Sequence, residues 1–446
     1  MSRSVRMSKS GKADRAPLPR RFTRFWLATA VSGFGDGLRL TALPLLAAYS
    51  SGGDPAAVAY VTAAGSLPWL LFGLGAGLVV DRTDRRRLMW AVDSVRALFT
   101  AGFAAMVFLG AQHVALLCAL AFAVGTGHTL FSSASAAYLP SVVGPDGLDR
   151  ANGRLMSVQV LTMQLVGPAA AGFLFAVAHG LPFALDGVSF AASAVLILAM
   201  GAATGSATGS AAGPASQGTG RPRVSGGEVL AGLRWTFGHP AIRAQSTILL
   251  IINVLSGMVL AVFVVYATGP LGLGSRGYGM LMALLAVGAM VGALAAPMLR
   301  ARLSDRATLM MSALLVGGVL ILLGAVAAVW AAAVSVLLFG LASMLWNVVT
   351  VSIRQRVVPD AVLGRASAAV RMLSAGAVPL GALIAAVAVG PVGLRPLFVI
   401  AGCVVLAATV LLARDLGRPL PQRPTGDAEA AGAASPDRLE ESSGRP

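Results

Sequence analysis

Long apolar stretches alternate with short polar segments along most of the 446 residues. Each apolar stretch runs for about twenty residues with almost no charge, the length a helix needs to cross the hydrocarbon core of a bilayer. The pattern therefore predicts twelve membrane-spanning helices. Their expected ranges are 25–50, 56–80, 88–110, 114–138, 154–178, 183–203, 243–269, 277–299, 308–329, 331–352, 366–390 and 393–413.

Composition supports a membrane protein. Hydrophobic residues make up 57% of the chain and charged residues 12%, which leaves too little polar surface for a soluble domain of this length. The net charge of +16 lies in loops rather than on one recognition face, so we expect no nucleic-acid partner. Cys118 and Cys403 are far apart in apolar stretches, which favours packing roles over a disulfide or a metal site.

The basic residues indicate an orientation. With a cytoplasmic amino terminus, the outer loops contain only Arg276 and Arg395, and nearly all other basic residues fall in cytoplasmic segments. This asymmetry is the one that membrane proteins show, so we expect a multi-pass protein of the cell membrane with both termini cytoplasmic. The basic start leads directly into a full-length span, and we therefore expect no cleaved signal peptide.

A segment rich in Gly, Ala, Ser and Thr at 201–227 divides the spans into two groups of six. The expected organisation has five parts, in chain order. They are a basic cytoplasmic segment at 1–24, a six-helix half at 25–203, a cytoplasmic linker with a short helix at 204–242, a second six-helix half at 243–413, and a disordered cytoplasmic tail at 414–446.

The two halves repeat weakly. TDRRRLM at 83–89 follows the second span, and SDRATLM at 304–310 follows the eighth; PDGLDRAN at 145–152 and PDAVLGRAS at 359–367 follow the fourth and the tenth. Parallel six-helix repeats are typical of transporters whose substrate path lies between the halves near the midplane. The predicted fold class is an all-α membrane protein of twelve transmembrane helices in two six-helix halves.

The segment GLVVDRTDRRRLM at 77–89 resembles the signature loop of the major facilitator superfamily, with Asp84 where the family usually has Gly. The stretches at 22–47, 185–194, 228–243 and 354–370 further resemble its efflux branch, which includes macrolide and enterobactin exporters. The resemblance covers residues 20–415 and implies the major facilitator fold. The signature positions in this chain are Gly77, Asp81, Arg82, Arg86 and Arg87.

The resemblance places Asp81 near the start of the eleventh span, where unpaired N–H groups carry partial positive charge. With Arg82 and Arg365, this carboxylate would clamp the halves together on the cytoplasmic side. Arg86 and Arg87 could share in gating, or could only fix topology and bind anionic headgroups. Gly77 is expected to be a close-packing position.

Charged residues inside spans are costly unless they are paired or hydrated. Asp36 and Arg39, three residues apart in the first span, are predicted to couple transport to protons, with a static ion pair as the alternative. Asp93 and Arg96 are predicted to extend the gate, with an interfacial pair as the alternative. Asp186 is interpreted as an amino-terminal cap of the sixth span.

Span 5 contains VGPAAAG, which resembles the antiporter motif of the superfamily. Gly167 would allow close helix approach, Pro168 would bend the span, and Gly172 ends the motif. In contrast, span 4 lacks the intramembrane Arg of many proton-coupled drug exporters. Neutral polar residues are candidates for the substrate path, although such residues often serve only helix packing. The candidates are His128, Gln159, Gln164, Asn253 and Asn347.

No paired metal ligands, phosphate-binding loop or acid–base constellation occurs, so we expect neither an enzyme nor a cofactor. The predicted function is secondary active transport by alternating access. The preferred form is proton-coupled efflux of an amphiphilic small molecule, drug-like, macrolide-like or siderophore-like, by a monomer in the lipid bilayer. The alternative is an uptake or lipid-handling transporter of the same fold without proton antiport.

Overall fold

The computed structural model describes residues 18–144, 147–200, 234–358 and 360–418. The predicted amino-terminal segment, linker and tail therefore lie largely outside the described residues. The long helical elements follow in chain order. They are α1 (Arg20–Ser50), α2 (Pro55–Arg82), α3 (Arg85–Phe108), α4 (Val114–Val143), α5 (Leu148–Gln159), a π-helical segment (Val160–Val166), α6 (Gly167–Val177), α7 (Leu181–Leu198), α8 (Pro240–Thr268), α9 (Ser275–Arg302), α10 (Asp305–Ala325), α11 (Val329–Val357), α12 (Asp360–Val392) and α13 (Leu394–Leu416).

The predicted fold class is confirmed, because regular structure in the described residues is entirely helical. Eleven helical units there are long and apolar enough to cross a membrane, with Leu148–Val177 counted as one span. The remaining long helix, α1, is 31 residues long and contains Asp36, Arg39 and three arginines in its first turns, which lower its hydropathy. It corresponds to the first predicted span.

Polar caps set several helix starts. The Asp54 side chain accepts a hydrogen bond from Ala56 N at 2.9 Å where α2 begins. Asp84 accepts from Arg87 N at 2.8 Å where α3 begins, and Ser304 accepts from Ala307 N at 3.2 Å where α10 begins. A capping side chain satisfies a backbone donor that the helix itself leaves unpaired. Capping thus explains why Asp84 is compatible with a position where the family usually has Gly.

Many large apolar side chains point away from the protein interior. Leu98, Val387 and Leu411 are 75%, 72% and 80% exposed. A soluble domain rarely leaves so many such side chains in water, whereas a membrane protein places them against lipid. Buried apolar side chains of both halves form one continuous core, and a second apolar cluster lies within the first half.

Glycines set how closely α1 and α6 cross. A Cβ added to Gly167 would lie 2.7 Å from Gly37 Cα, closer than carbon atoms pack. Only glycine at this crossing lets the two backbones touch, as predicted for Gly167. The packing prediction for Gly77 is wrong, because no heavy atom lies within 4 Å of a Cβ added there.

The two halves contact each other where α2 packs against α12 and where α6 packs against α9, the latter at the end of the bundle opposite the turn between α2 and α3. We call the end with that turn the motif end. At the opposite end, a Cβ on Gly172 of α6 would lie 2.5 Å from Ser275 O and 3.1 Å from Gly279 Cα of α9. Ser275 Oγ donates to Gly172 O at 3.0 Å. These backbone contacts close the space between the halves at the opposite end.

Candidate functional site: a buried charge cluster beside a central cavity

A cluster of charged side chains lies inside the first half. Asp36, only 3% exposed, accepts a hydrogen bond from Arg39 at 2.9 Å and another from Arg96 of α3. The second oxygen of Asp36 lies 3.1 Å from His128 Nδ1 of α4. Arg96 also donates to Asp93 at 3.1 Å. Asp36 thus links residues from three helices.

Asp186 of α7 completes the cluster. It is fully buried, and its Oδ2 lies 3.8 Å from Arg39 Nε. Helix α7 begins at Leu181 after Gly180, so Asp186 lies in the second turn and cannot cap the helix. The interpretation of Asp186 as a cap is therefore wrong. Neither carboxylate oxygen has a hydrogen-bond partner among the described residues.

Small residues and one aromatic ring make room for these side chains. A Cβ on Gly127 would lie 2.8 Å from both Cγ and Cδ of Arg96, so glycine at this position leaves the space that the arginine stem fills. The Arg96 guanidinium lies 3.7 Å from the ring centroid of Phe190, a cation–π contact. Similarly, a Cβ on Gly35 would lie 2.4 Å from Asp186 Oδ1.

The charges of this cluster do not balance. It contains three carboxylates, Asp36, Asp93 and Asp186, and two guanidinium groups. With neutral His128 the formal charge is −1, and one added proton makes the cluster neutral. Because an unpaired charge is costly in a buried site, the cluster favours binding that proton. The arrangement can therefore serve as a proton-binding site.

The structure places Asp93 and Arg96 in this cluster and not beside the motif loop, where they were predicted to extend the gate. Of the motif arginines, Arg86 donates to the carbonyl oxygens of Ile197 and Leu198 at 2.9 and 2.5 Å. It thus binds the last turn of α7 within its own half, where a positive charge is favourable.

The remaining gate residues stay predictions. Arg82 and Arg87 are exposed at the motif end. The side chains of Asp81 and Arg365 lie outside the described part of the structure, and so does the clamp expected between them.

A cavity of about 560 Å³ lies between the halves near their middle. Of the predicted path residues, Gln164, Asn253 and Asn347 line it. His128 instead contacts Asp36, and Gln159 is exposed outside the cavity wall. None of the described lining residues is Asp, Glu, Lys, Arg or His.

Helix α1 belongs to both the charge cluster and the cavity. Asp36 and Arg39 lie in the cluster, and Leu40 and Thr41, the next residues along the helix, line the cavity. Pro168, one turn before Gly172, also lines the cavity. The cluster, the cavity and the contact at the opposite end are therefore joined through α1 and α6.

Several residues of this site were not singled out from the sequence. They include Ser343 and Trp346 of α11 and Gly279 of α9. In uniformly apolar spans, periodicity does not separate the faces toward lipid, core and cavity.

Two solved structures that superpose on this fold are a transporter and a homologue of a transporter. A bacterial homologue of the iron transporter ferroportin, in an inward-facing state, superposes with a TM-score of 0.68 at 17% identity, covering 90% of this chain and 100% of the other. The nucleoside transporter NupG superposes with a TM-score of 0.69 at 11% identity, with the same coverage. At these identities the likeness concerns the fold alone.

Curated relatives share shorter regions. An uncharacterized MFS-type transporter of Mycobacterium tuberculosis is 36% identical over 124 residues, 27% of this chain and 28% of the relative. The multidrug efflux pump Tap of Mycolicibacterium fortuitum is 33% identical over 159 residues, 34% of this chain and 38% of Tap. The chain thus aligns with less than half the length of either relative.

The match to a transporter family over most of the chain, together with the helical fold in two halves, defines a multi-pass transporter of the major facilitator class, not an enzyme. Residues 13–440 match the family described as transmembrane secretion effector, and the chain belongs to that family.

Proposed function

We propose that this transporter exports amphiphilic small molecules from the cell in exchange for protons. The observation that carries the proposal is the buried cluster of three carboxylates and two guanidinium groups, which one proton would neutralise. The efflux direction is supported by the similarity to Tap, which is named a multidrug efflux pump. The arginine-rich loops support a cell membrane orientation with the motif end and both termini cytoplasmic.

Protons would enter the cluster at His128. Its side chain is 22% exposed, whereas the side chains of Asp36, Arg39, Arg96 and Asp186 are at most 5% exposed. The two nitrogens of an imidazole can donate and accept hydrogen bonds, which suits an exchange site with water. His128 Nδ1 lies 3.1 Å from Asp36 Oδ2, within hydrogen-bond distance, so a proton could pass directly from the ring to this carboxylate.

Protonation of Asp36 would weaken its bonds to Arg39 and Arg96 and so change how α1 packs against α3. Because α1 touches α6 at Gly37 and Gly167, a shift of α1 displaces α6. Helix α6 in turn forms the contact with α9 at the opposite end. A proton in the cluster therefore biases the equilibrium between the two access states, as alternating access requires.

Two gates would alternate in this cycle. The Gly172–Gly279 contact closes the cavity on the outer side in the state described. The predicted clamp of Asp81, Arg82 and Arg365 closes the cytoplasmic side in the other state. Arg86 and Arg87 hold the loop in place at the membrane surface.

The test is flux in vesicles reconstituted with purified protein. We expect an imposed pH gradient to drive uptake of a fluorescent amphiphile without ATP, and we expect Asp36→Asn to abolish this dependence while the protein still folds. Asp54→Asn is the matched control, because Asp54 is a carboxylate of the same protein that caps α2 outside the cluster.

Two results would contradict the proposal. One is gradient-driven flux in Asp36→Asn equal to that of the wild type. The other is translocation of labelled phospholipid, independent of the gradient, with no flux of dyes or macrolides, which would favour the lipid-handling alternative.

A further inference from the structure

The wall of the central cavity carries dipoles rather than charges. Among the described lining residues, the most polar side chains are the amides of Gln164, Asn253 and Asn347. The charged side chains of the cluster lie outside the cavity wall. A ligand with a full charge would bury that charge without a partner, which is costly. This wall thus disfavours metal ions and permanent organic ions.

The rest of the wall is apolar and adaptable. Both halves contribute methionines, namely Met163 from the first half and Met282 and Met344 from the second. Methionine is unbranched and polarisable, so it adjusts to ligands of different shapes. Together with Leu260 and Phe339, these side chains provide an apolar surface for the hydrocarbon part of a ligand.

A row of hydrogen-bonding groups lies on one face of α11. Trp346 and Asn347 lie three and four residues after Ser343, so each is a neighbour of Ser343 on the helix surface, and all three residues line the cavity. Ser343 Oγ and Trp346 Nε1 have no hydrogen-bond partner among the described residues, and Trp346 is only 1% exposed. By contrast, the hydroxyl of Ser256 in the same wall donates to Ile252 O at 2.5 Å.

Unpartnered donors in a buried position carry the cost of losing water. An acceptor oxygen of a ligand placed against α11 would remove that cost. Because the cavity wall is apolar and carries no charged side chain among the described residues, the remainder of such a ligand must be uncharged and largely hydrocarbon. The donors, the methionines and the neutral wall therefore point to one chemical class.

We propose that the cavity binds an uncharged amphiphile that carries carbonyl, ester or ether oxygens, and that Ser343, Trp346 and Asn347 form its hydrogen-bonding subsite. This inference rests on the proposed function only in taking the cavity as the substrate site. It does not depend on proton coupling.

The experiment measures equilibrium binding to the purified full-length protein in detergent by titration calorimetry, with no gradient. The probes are erythronolide B as a neutral macrolactone, ethidium as a permanent cation, taurocholate as an anion, and Mn²⁺. We expect erythronolide B to bind at least about tenfold more tightly than each charged probe, because only the charged probes bury an unpaired charge.

The variants test the subsite itself. Trp346→Phe and Ser343→Ala should each weaken erythronolide B binding about fivefold, the effect of one lost hydrogen bond. Ser256→Ala is the matched control and should leave binding unchanged, because its hydroxyl is already bonded to its own helix. Thermal melting of each variant checks that it is folded. If Trp346→Phe does not fold, the binding measured with Ser343→Ala decides the test.

Equal or tighter binding of a charged probe would overturn the proposal, as would no measurable binding of erythronolide B. Equal effects of Ser343→Ala and Ser256→Ala would overturn the subsite. Because binding needs no gradient, neutral-ligand binding without pH-driven flux would refute the proposed coupling alone. Conversely, pH-driven export of ethidium without macrolactone binding would refute only the present inference.

Discussion

The contact between Gly172 and Gly279 offers a direct way to perturb the access equilibrium. In Gly172→Ala the added Cβ would lie 2.5 Å from Ser275 O and 3.1 Å from Gly279 Cα. Both neighbours are backbone atoms, so no side-chain rotation relieves the clash. To restore normal van der Waals distances, α6 and α9 must separate by about 1 Å at this point.

Overpacking of this kind costs about 1–3 kcal/mol. The cost applies only while the contact is closed, because the helices part when the opposite end opens. The variant should therefore shift the equilibrium toward the outward-open state by a factor of about 5 to 150, since 1.4 kcal/mol corresponds to tenfold.

Cysteine labelling from outside would measure this shift. The native Cys118 and Cys403 are first replaced by serine, and Thr41→Cys in the cavity wall serves as the reporter. A membrane-impermeant maleimide added outside intact cells should label the reporter at least about fivefold faster with Gly172→Ala, the low end of the shift.

Gly153→Ala is the matched control, because Gly153 lies in the same span with nothing within 4 Å of an added Cβ. Equal labelling rates for Gly172→Ala and Gly153→Ala would refute the assignment of this contact as the outer gate.

Two further predictions concern single residues. Asp84→Ala removes the cap of α3 and should lower the free energy of unfolding by about 1 kcal/mol. Asp84→Gly, which introduces the usual family residue, should lower it by only a few tenths of a kcal/mol. Equal melting temperatures for the two variants in detergent would contradict this prediction. Gly127→Ala should displace the Arg96 stem and abolish pH-driven flux, while ligand binding in the cavity persists. Gly102→Ala is the control and should transport normally, because its added Cβ meets open space on α3. Unaltered flux in Gly127→Ala would count against the role of Arg96.

The spans were predictable because a helix in lipid must satisfy its own backbone and face apolar surroundings, and both needs leave a strong pattern. The pairing of Asp36 with Arg39 follows from helical spacing alone. In contrast, the bond from Arg96 to Asp36 joins residues 60 positions apart and depends on how α1 and α3 pack.

Other errors have similarly specific causes. Asp186 was misassigned because α7 begins at Leu181, with Pro182 in its first turn, slightly before the expected start at 183. Gly77 was expected to pack closely because of its position in the motif, but the sequence of an apolar span does not show which of its glycines face a neighbouring helix. The donors of α11 escaped notice because Ser and Trp in an apolar span also fit ordinary helix packing.

The central claim is that the cluster exchanges one proton during transport. It is tested most directly by proton release from purified protein in weakly buffered detergent solution when a transported ligand is added. Wild type should release about one proton per bound ligand, because ligand binding and cluster protonation favour different access states.

Asp186→Asn leaves two carboxylates facing two guanidinium groups, so it should bind ligand and release none. Release by Asp186→Asn equal to that of wild type, or no release by wild type, would contradict the account.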